Sequence, residues 1–370
     1  MQKRGFARSH CALILLMMAL VLSSCAVATP DLLTPPPVVS TPVLSGTDSG
    51  GAADWLQIYF TDPTAPHAAD YEAGPDEVLG AALDQARLSV DAAAYSLNLW
   101  SIRDALINAH KRGAIVRIVM ESDNMNTPEV QQIMEAGIPI IGDQHQGLMH
   151  DKFIVIDRAD VWTGSMNYTT SGVYQDNNNL VLIRSSAVAE DYTNEFEKMF
   201  VDNLFGPDKT AGNPNPKLTI DGTPVEVYFA PEDKAAGRIV ELIQDSQKSI
   251  NFLAYSFTSN DIGKAVMERA QAGVHVSGVM DDGQIKASKG TEYDPFMQAG
   301  LDVRLDGNQD GLMHHKVIII DQKIVITGSY NFSVSAETTN DENVVIIFSP
   351  EVAAKYMEEF QRVYGQAEQP

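Results

Sequence analysis

Cysteine is almost missing from this chain: there are two in 370 residues, Cys11 and Cys25. No set of disulfides can brace the fold, so whatever domains form must be held by their apolar cores. Basic residues are also scarce, 26 Lys and Arg against 49 Asp and Glu, for a formal charge of −23. Such a balance weakens long-range attraction to nucleic acid and to anionic membranes, without forbidding a local basic site. Long apolar runs are equally rare. The stretch from Ala12 to Leu22 is too short for a comfortable membrane span. What remains has a globular composition, 44% hydrophobic, and length enough for two domains with full-sized cores.

The short apolar run follows Lys3, Arg4 and Arg8 and ends in Leu22, Ser23, Ser24 and Cys25, the layout of a secretion signal. Its end resembles the lipobox of bacterial lipoproteins. That resemblance implies cleavage of residues 1–24, a diacylglycerol on the Cys25 thiol, and an extracytoplasmic protein anchored to a membrane. An ordinary secreted protein with a spare cysteine is the plainer alternative. Removal of the leader also takes away Cys11 and leaves 23 basic against 49 acidic residues. Residues 25–52, with Pro35, Pro36, Pro37 and the Gly50, Gly51 pair, are too rich in Pro, Thr, Ser and Gly to bury a core. They are expected to form a flexible tether.

One pattern occurs twice. His150, Lys152, Asp157, Gly164, Ser165 and Asn167 recur with unchanged spacing as His314, Lys316, Asp321, Gly328, Ser329 and Asn331. Each copy reads H-x-K, four residues, Asp, six residues, G-S-x-N. Phe153 to Ile156 predicts a buried strand, a short turn follows, and Val161 begins a second strand, so each copy predicts a β-hairpin. Residues two apart on a strand share a face, so His150 projects with Lys152 and His314 with Lys316. Asp157 and Asp321 fall at the turn and are read as structural and not catalytic, hydrogen-bonding to turn amides or pairing with a basic group. The glycines are expected to let the second strand approach closely and bring Ser165, Asn167, Ser329 and Asn331 toward the His and Lys side chains.

The doubled pattern resembles the signature of the phospholipase D superfamily. Other landmarks repeat around it: Ile58-Tyr59-Phe60 returns as Val227-Tyr228-Phe229, Ala94-Tyr95-Ser96 as Ala254-Tyr255-Ser256, and Gly147-Leu148-Met149-His150 as Gly311-Leu312-Met313-His314. The expected domains are residues 53–205 and 223–366, joined by 206–222. Within each, strands alternating with helices predict an α/β architecture, an α/β/α sandwich with a mixed, mostly parallel sheet covered on both faces. The duplication suggests two phospholipase D-like units related by a pseudo-twofold, with their sites meeting at the interface. The family arrangement is the same, and one chain would suffice for a complete site.

The chemistry implied is cleavage of a phosphodiester without metal or cofactor. One imidazole attacks phosphorus to give a phosphohistidine; the other protonates the leaving oxygen and then activates water. Lys152, Lys316, Asn167 and Asn331 stabilise charge on the non-bridging oxygens, and Ser165 and Ser329 are candidate substrate-binding groups. The resemblance places the nucleophile in the first copy, His150, and the acid and base at His314. Family members carry an acid eleven residues after the motif's Asn, facing the opposite His. Here that position is Glu342 in one copy but Asn178 in the other, which leaves His314 with an amide or Asp176 for company. A two-histidine zinc site is disfavoured because the adjacent Lys repels a cation. His110, His145 and His275 lack repeats and read as ordinary.

The motif specifies a reaction class and leaves the leaving group open. Hydrolysis of glycerophospholipids to phosphatidic acid and an alcohol is favoured by the anchor and by apolar residues after the repeated tyrosines, Leu97, Leu99, Trp100 and Phe257. A nuclease cleaving DNA or RNA is the alternative within the family. A non-catalytic binder of anionic head groups is the alternative outside it.

Overall fold

The computed structural model describes residues 54–367; Cys11, Cys25, the leader and the tether lie outside the described residues. The first lobe contains β1 (Leu56–Phe60), α1 (Pro75–Gln85), β2 (Ser89–Ala94), α2 (Trp100–Lys111), β3 (Ile115–Met120), α3 (Pro128–Glu135) and β4 (Ile140–Gly142). It continues with β5 (Lys152–Ile156), β6 (Asp160–Gly164), α4 (Thr170–Tyr174), β7 (Asn179–Arg184) and α5 (Ser186–Phe200). The second repeats this plan. Its elements are β8 (Lys217–Ile220), β9 (Thr223–Ala230), α6 (Ala235–Gln244), β10 (Ser249–Ala254), α7 (Asn260–Gln271), β11 (His275–Met280), α8 (Asp282–Ala287) and α9 (Tyr293–Gln298). Then come β12 (Asp302–Leu305), β13 (Lys316–Ile320), β14 (Ile324–Gly328), α10 (Val334–Thr338), β15 (Glu342–Phe348) and α11 (Pro350–Gln366).

Each lobe is a mixed sheet, in the order β1-β7-β6-β5-β2-β3-β4 in the first and β12-β11-β10-β13-β14-β15-β9-β8 in the second. The expectation of a mostly parallel sheet is corrected. Only β2 with β3 and β3 with β4, and β10 with β11 and β11 with β12, run parallel. The hairpin β5–β6 and the returning β7 add antiparallel pairs at the middle of the sheet. Helical crossovers are needed only between parallel strands, so a motif built as a hairpin shifts the balance. The joining segment 206–222 is likewise not mere linker: β8 lies within it and pairs with β9.

Alternation along the strands divides the apolar residues between layers. Ile154 and Ile156 face an outer core under α1, α2 and α3 with Leu79, Leu106 and Ile133. Phe153 and Val155 face the opposite way, into a central core shared by both sheets and by α5 and α11. A third core sits under α6, α7 and α9. The caps follow from sequence: Thr127, Ser185 and Ser349 accept from the third amide of α3, α5 and α11, and Pro at N1 opens α3 and α11.

The contacts between lobes are reciprocal. Asn179 donates to Thr327 and Tyr356 of the second lobe, while Thr163 and Tyr192 donate to its counterpart Asn343. Met149 bridges to Asp341, and Met313 to Asn177. Equivalent residues exchanging partners define a pseudo-twofold.

Candidate active site

The H-x-K motifs sit at the mouths of β5 and β13, where the two lobes meet. The backbone amide of His150 donates to the carbonyl of Asp341 at 3.0 Å, and that of His314 to the carbonyl of Asn177 at 3.0 Å. Each histidine is therefore held by the start of the other lobe's last strand. The Nδ1 of His150 lies 2.8 Å from both Oε atoms of Glu342, and that of His314 lies 2.9 Å from Oδ1 of Asn178.

The partners are themselves oriented. Ser165 donates to Asn178 Oδ1 at 2.8 Å, and Asn178 Nδ2 donates to the carbonyl of Gly172 at 2.8 Å. Asn178 thus presents an acceptor, and His314 must carry its proton on Nδ1. Ser329 donates to Glu342 Oε2 at 2.7 Å. On both rings Nε2 has no hydrogen-bond partner among the described residues, which leaves that nitrogen for an incoming group. Asp176, the other neighbour expected for His314, instead accepts the amide of Leu312 at 2.9 Å.

Ser165 and Ser329, expected to touch substrate, are placed elsewhere. Both are fully buried, and each also accepts an amide, from Asn179 and Asn343. A hydroxyl with one proton, already donated to the histidine's partner, has none left for a phosphate. Both serines position Asn178 and Glu342. Asn167 and Asn331 are half-buried, and their Oδ1 atoms are buried without partners.

Lys152 and Lys316 are buried, and each ammonium donates to the carbonyl of its own motif's His, at 2.5 and 2.8 Å. Tyr95 and Tyr255 supply a face that the motif itself does not reveal. Each tyrosine ring lies 4.8 Å from its lysine nitrogen and within 4.8 and 4.7 Å of the rings of His150 and His314. Their repeat within Ala-Tyr-Ser was the signal. Asp157 and Asp321 lie at the hairpin turns and accept three amides each, but from the α1–β2 and α6–β10 connections. Gly164 and Gly328 make their close approach to β7 and β15. An added Cβ would lie 2.3 Å from the carbonyl oxygen of Asn179 and 2.2 Å from that of Asn343.

Burial crowds cationic groups together, and their acidities follow. His150 is held well below its ordinary value by burial, then by Lys152 and Lys316; His314 is lowered by burial, then by the same two lysines. Burial brings Lys152 down to about 7 against the pull of Glu342 and Asp151. Lys316 falls well below the lysine range by burial and by Lys152. Burial raises Glu342 to about 7. The pocket is therefore short of negative charge, the complement of a phosphodiester anion.

Leu97, Leu99 and Phe257, expected to face lipid, are core residues; of that group only Trp100 is exposed. Phe257 packs among Phe252, Phe296 and Phe332. Apolar character after a strand does not say whether a loop turns out or folds back. Sequence reasoning also missed His145 and Lys209, which lie at the lobe interface: His145 binds Asp143 and the carbonyl of Thr339, and Lys209 is buried among Glu195, Glu232 and Asp341. Among the described residues no three His, Cys, Asp or Glu side chains are grouped to hold a metal ion.

The family profile described as "Cardiolipin synthase, PLD-like domain" matches residues 79–200 and 239–364. Among curated proteins, "Mitochondrial cardiolipin hydrolase" of Xenopus tropicalis is 33% identical over 132 residues, 36% of this chain and 62% of that protein. "Phospholipase D" of Rickettsia prowazekii is 37% identical over 134 residues, 36% of this chain and 64% of that protein. The chain thus spans less than two thirds of the length of either relative. Among solved structures, phosphatidylserine synthase of Haemophilus influenzae is similar in fold, with a TM-score of 0.64 over 86% of this chain and 88% of that one, at 12% identity. With both lobes matched by the profile, the chain belongs to the phospholipase D superfamily, within its cardiolipin synthase PLD-like domain family.

Proposed function

We propose that the protein is a phosphodiesterase that hydrolyses glycerophospholipids to phosphatidic acid and an alcohol, with His150 as nucleophile and His314 as acid and base. The observation that carries this is the unequal anchoring of the two rings: a carboxylate on His150, an amide on His314. The carboxylate holds the proton on Nδ1 and stabilises positive charge as Nε2 attacks. An amide orients the ring without that stabilisation, which makes His314 the readier proton donor.

In the first step Nε2 of His150 forms a bond to phosphorus as the bond to the alcohol oxygen breaks, and His314 gives that oxygen its proton. In the second, His314 takes a proton from water; the hydroxide attacks phosphorus, and the bond to His150 breaks. Lys152, Lys316, Asn167 and Asn331 are assigned to the non-bridging oxygens. The bound anion raises the proton affinity of the lysines and of His314, so substrate itself sets the acid in its charged form.

The names of the relatives support a lipid substrate, and the acidic balance of the chain opposes tight binding to duplex DNA. Purified protein is assayed with chelator present on phosphatidylglycerol, phosphatidylcholine, cardiolipin and single- and double-stranded DNA. Lipid turnover is expected, lost by at least a thousandfold or so in His150→Ala and His314→Ala with thermal melting unchanged. Acid-labile phosphate should be trapped on His150 in the His314→Ala protein. DNA cleavage without lipid turnover selects the nuclease, and head-group binding with no turnover selects the binder.

A further inference from the structure

One tie across the seam is made twice, with a different donor each time. On the His314 side Asn308 Nδ2 donates to the carbonyl of Gln175 at 2.8 Å. On the His150 side Nε2 of His145 lies 3.1 Å from the carbonyl of Thr339. Gln175 and Thr339 are equivalent, each three residues before the group that holds the opposite lobe's imidazole, Asn178 and Glu342. Asp143 and Asp306 correspond as well. Their amides donate to Met120 and Met280, and their carboxylates accept from Ser122 and Asp282. His145 and Asn308 each stand two residues beyond that aspartate. An amide at one end is thus an imidazole at the other, and only the imidazole titrates near neutral pH.

Both ring nitrogens of His145 face acceptors. Nδ1 lies 2.9 Å from Asp143 Oδ2, while Nε2 faces the Thr339 carbonyl with Asp341 Oδ2 behind it at 3.8 Å. A neutral ring carries one N–H and would set a lone pair against one of these oxygens; an imidazolium donates to both. The hydrogen bond to Asp143 raises the ring above its ordinary 6.5, against burial, with Asp341 and the Thr339 carbonyl adding to it. The ring is also wedged in place. It stacks on Phe205 at 5.8 Å, and a Cβ on Gly206 would lie 2.5 Å from Nε2.

The carbonyl that His145 meets opens the segment that frames His150. Asn340 Oδ1 accepts the amide of Leu148 at 3.2 Å, and Asn340 Nδ2 reaches Glu342 Oε1 at 3.3 Å. The Asp341 amide donates to the carbonyl of Leu148, and the Asp341 carbonyl accepts the amide of His150. Glu342 then takes Nδ1 of His150. Resting on the assignment of His150 as nucleophile, we propose that His145 is a positioning residue for it, acting as an imidazolium through Thr339 and the segment that ends at Glu342. The His314 half has amides at both corresponding places, Asn308 and Asn178, and neither ionises.

The charged groups around His145 come from three directions. Asp143 and Glu121 belong to the first lobe and Asp341 to the second, and Lys209 of the joining segment lies 2.8 Å from Asp341 with Glu195 and Glu232 behind it. Burial raises Glu121 and Asp341. As pH rises these carboxyls can only gain negative charge, which favours the imidazolium. Lys209 is held well above its ordinary value, against burial, by Asp341, Glu195 and Glu232, and stays charged. The proton whose loss releases the Thr339 carbonyl is therefore the imidazole's own. The tie is complete below 6.5 and lost as pH rises through the raised value of the folded ring.

The test measures kcat and KM on bis(p-nitrophenyl) phosphate from pH 6 to 9 for the full chain, His145→Gln and Asn308→Ala, with melting temperature recorded at each pH. His145→Gln supplies an amide donor, as Asn308 does opposite, without the proton. The ratio of wild-type to His145→Gln kcat is expected to fall about tenfold from pH 6 to 9, the worth of one charge-assisted hydrogen bond, with KM unchanged. Lys152 and Glu342 titrate in both proteins and leave the ratio alone. Asn308→Ala should lose turnover by a factor that does not vary with pH. Imidazole nitrogen NMR, with His145 assigned by its absence in the Gln variant, should show both nitrogens protonated at pH 6. A constant ratio, a change confined to KM or to melting temperature, or a His145 ring with one bare nitrogen at pH 6 overturns the proposal. A wild type that cleaves no diester at any pH overturns the phosphodiesterase reading instead, a result distinct from cleavage with a constant ratio.

Discussion

Glu342 and Asn178 occupy equivalent places and differ by one charge, and that difference is expected to divide the labour between the histidines. Glu342→Gln keeps the shape and an acceptor for Nδ1 but removes the charge that stabilises a positive His150. Turnover should fall on the order of a hundredfold or more, with KM little changed, read from steady-state kinetics. Stability should respond in the other direction. Burial raises the Glu342 carboxyl from 4.5 to about 7 in the folded chain. A group raised on folding lends stability while protonated, fully below its ordinary value and lost as pH rises through its folded one. The variant, which cannot ionise, should therefore gain in melting temperature relative to wild type as pH rises from 4.5 to 7. A constant difference across that window would show that Glu342 is not the group responsible. Glu342 was legible in sequence as the acid eleven residues past Asn331. The inward turn of Ser165 and Ser329 was not, because a hydroxyl beside a glycine says nothing of which partner it will meet.

Among the elements, the hairpins β5–β6 and β13–β14 carry the motif and depend on two devices. The turn residues Asp157 and Arg158, and Asp321 and Gln322, have φ between 52 and 54°, left-handed values at the centre of tight turns that the amides of Ala159 and Lys323 close on the carbonyls of Ile156 and Ile320. At the far end Gly164, at φ 143°, passes against the carbonyl of Asn179. Gly164→Ala puts a Cβ where backbone stands, so β6 and β7 must separate at the point where Asn178 and Asn179 are held. A loss of about 2–3 kcal/mol is expected by denaturant titration, with a larger fractional loss of activity, since Asn178 orients His314. Hairpins and helix caps were readable because their signals span a few residues. Strand direction across the sheet was not, since alternating strands and helices suggest parallel pairing, and only packing sets β5 antiparallel to β2 and β7 antiparallel to β6.

Over the whole molecule, two sheets are locked about one seam and the joining segment does part of the locking. Lys209 has no exposed side-chain surface and lies 2.8 Å from Asp341 and 3.4 Å from Glu232, in contact also with Glu195. The carbonyl of Asp341 grips His150. Lys209→Met leaves Asp341 without its cation and Glu195 and Glu232 with Lys198 alone, and should cost about 3–5 kcal/mol at neutral pH, less in acid where the carboxylates take up protons; urea titrations at pH 5 and 7.5 measure both. The duplicated anchors, the order of strands and helices, and the class of chemistry were set by the sequence alone, because each rests on side chains spaced within one hairpin or one helix. Which acid faces which histidine and that Lys209 is buried were decided only by the tertiary structure. Glu342 is 192 residues from His150, and groups that far apart along a chain become neighbours only when two sheets pack, a choice made by burial summed over both cores and written in no local pattern.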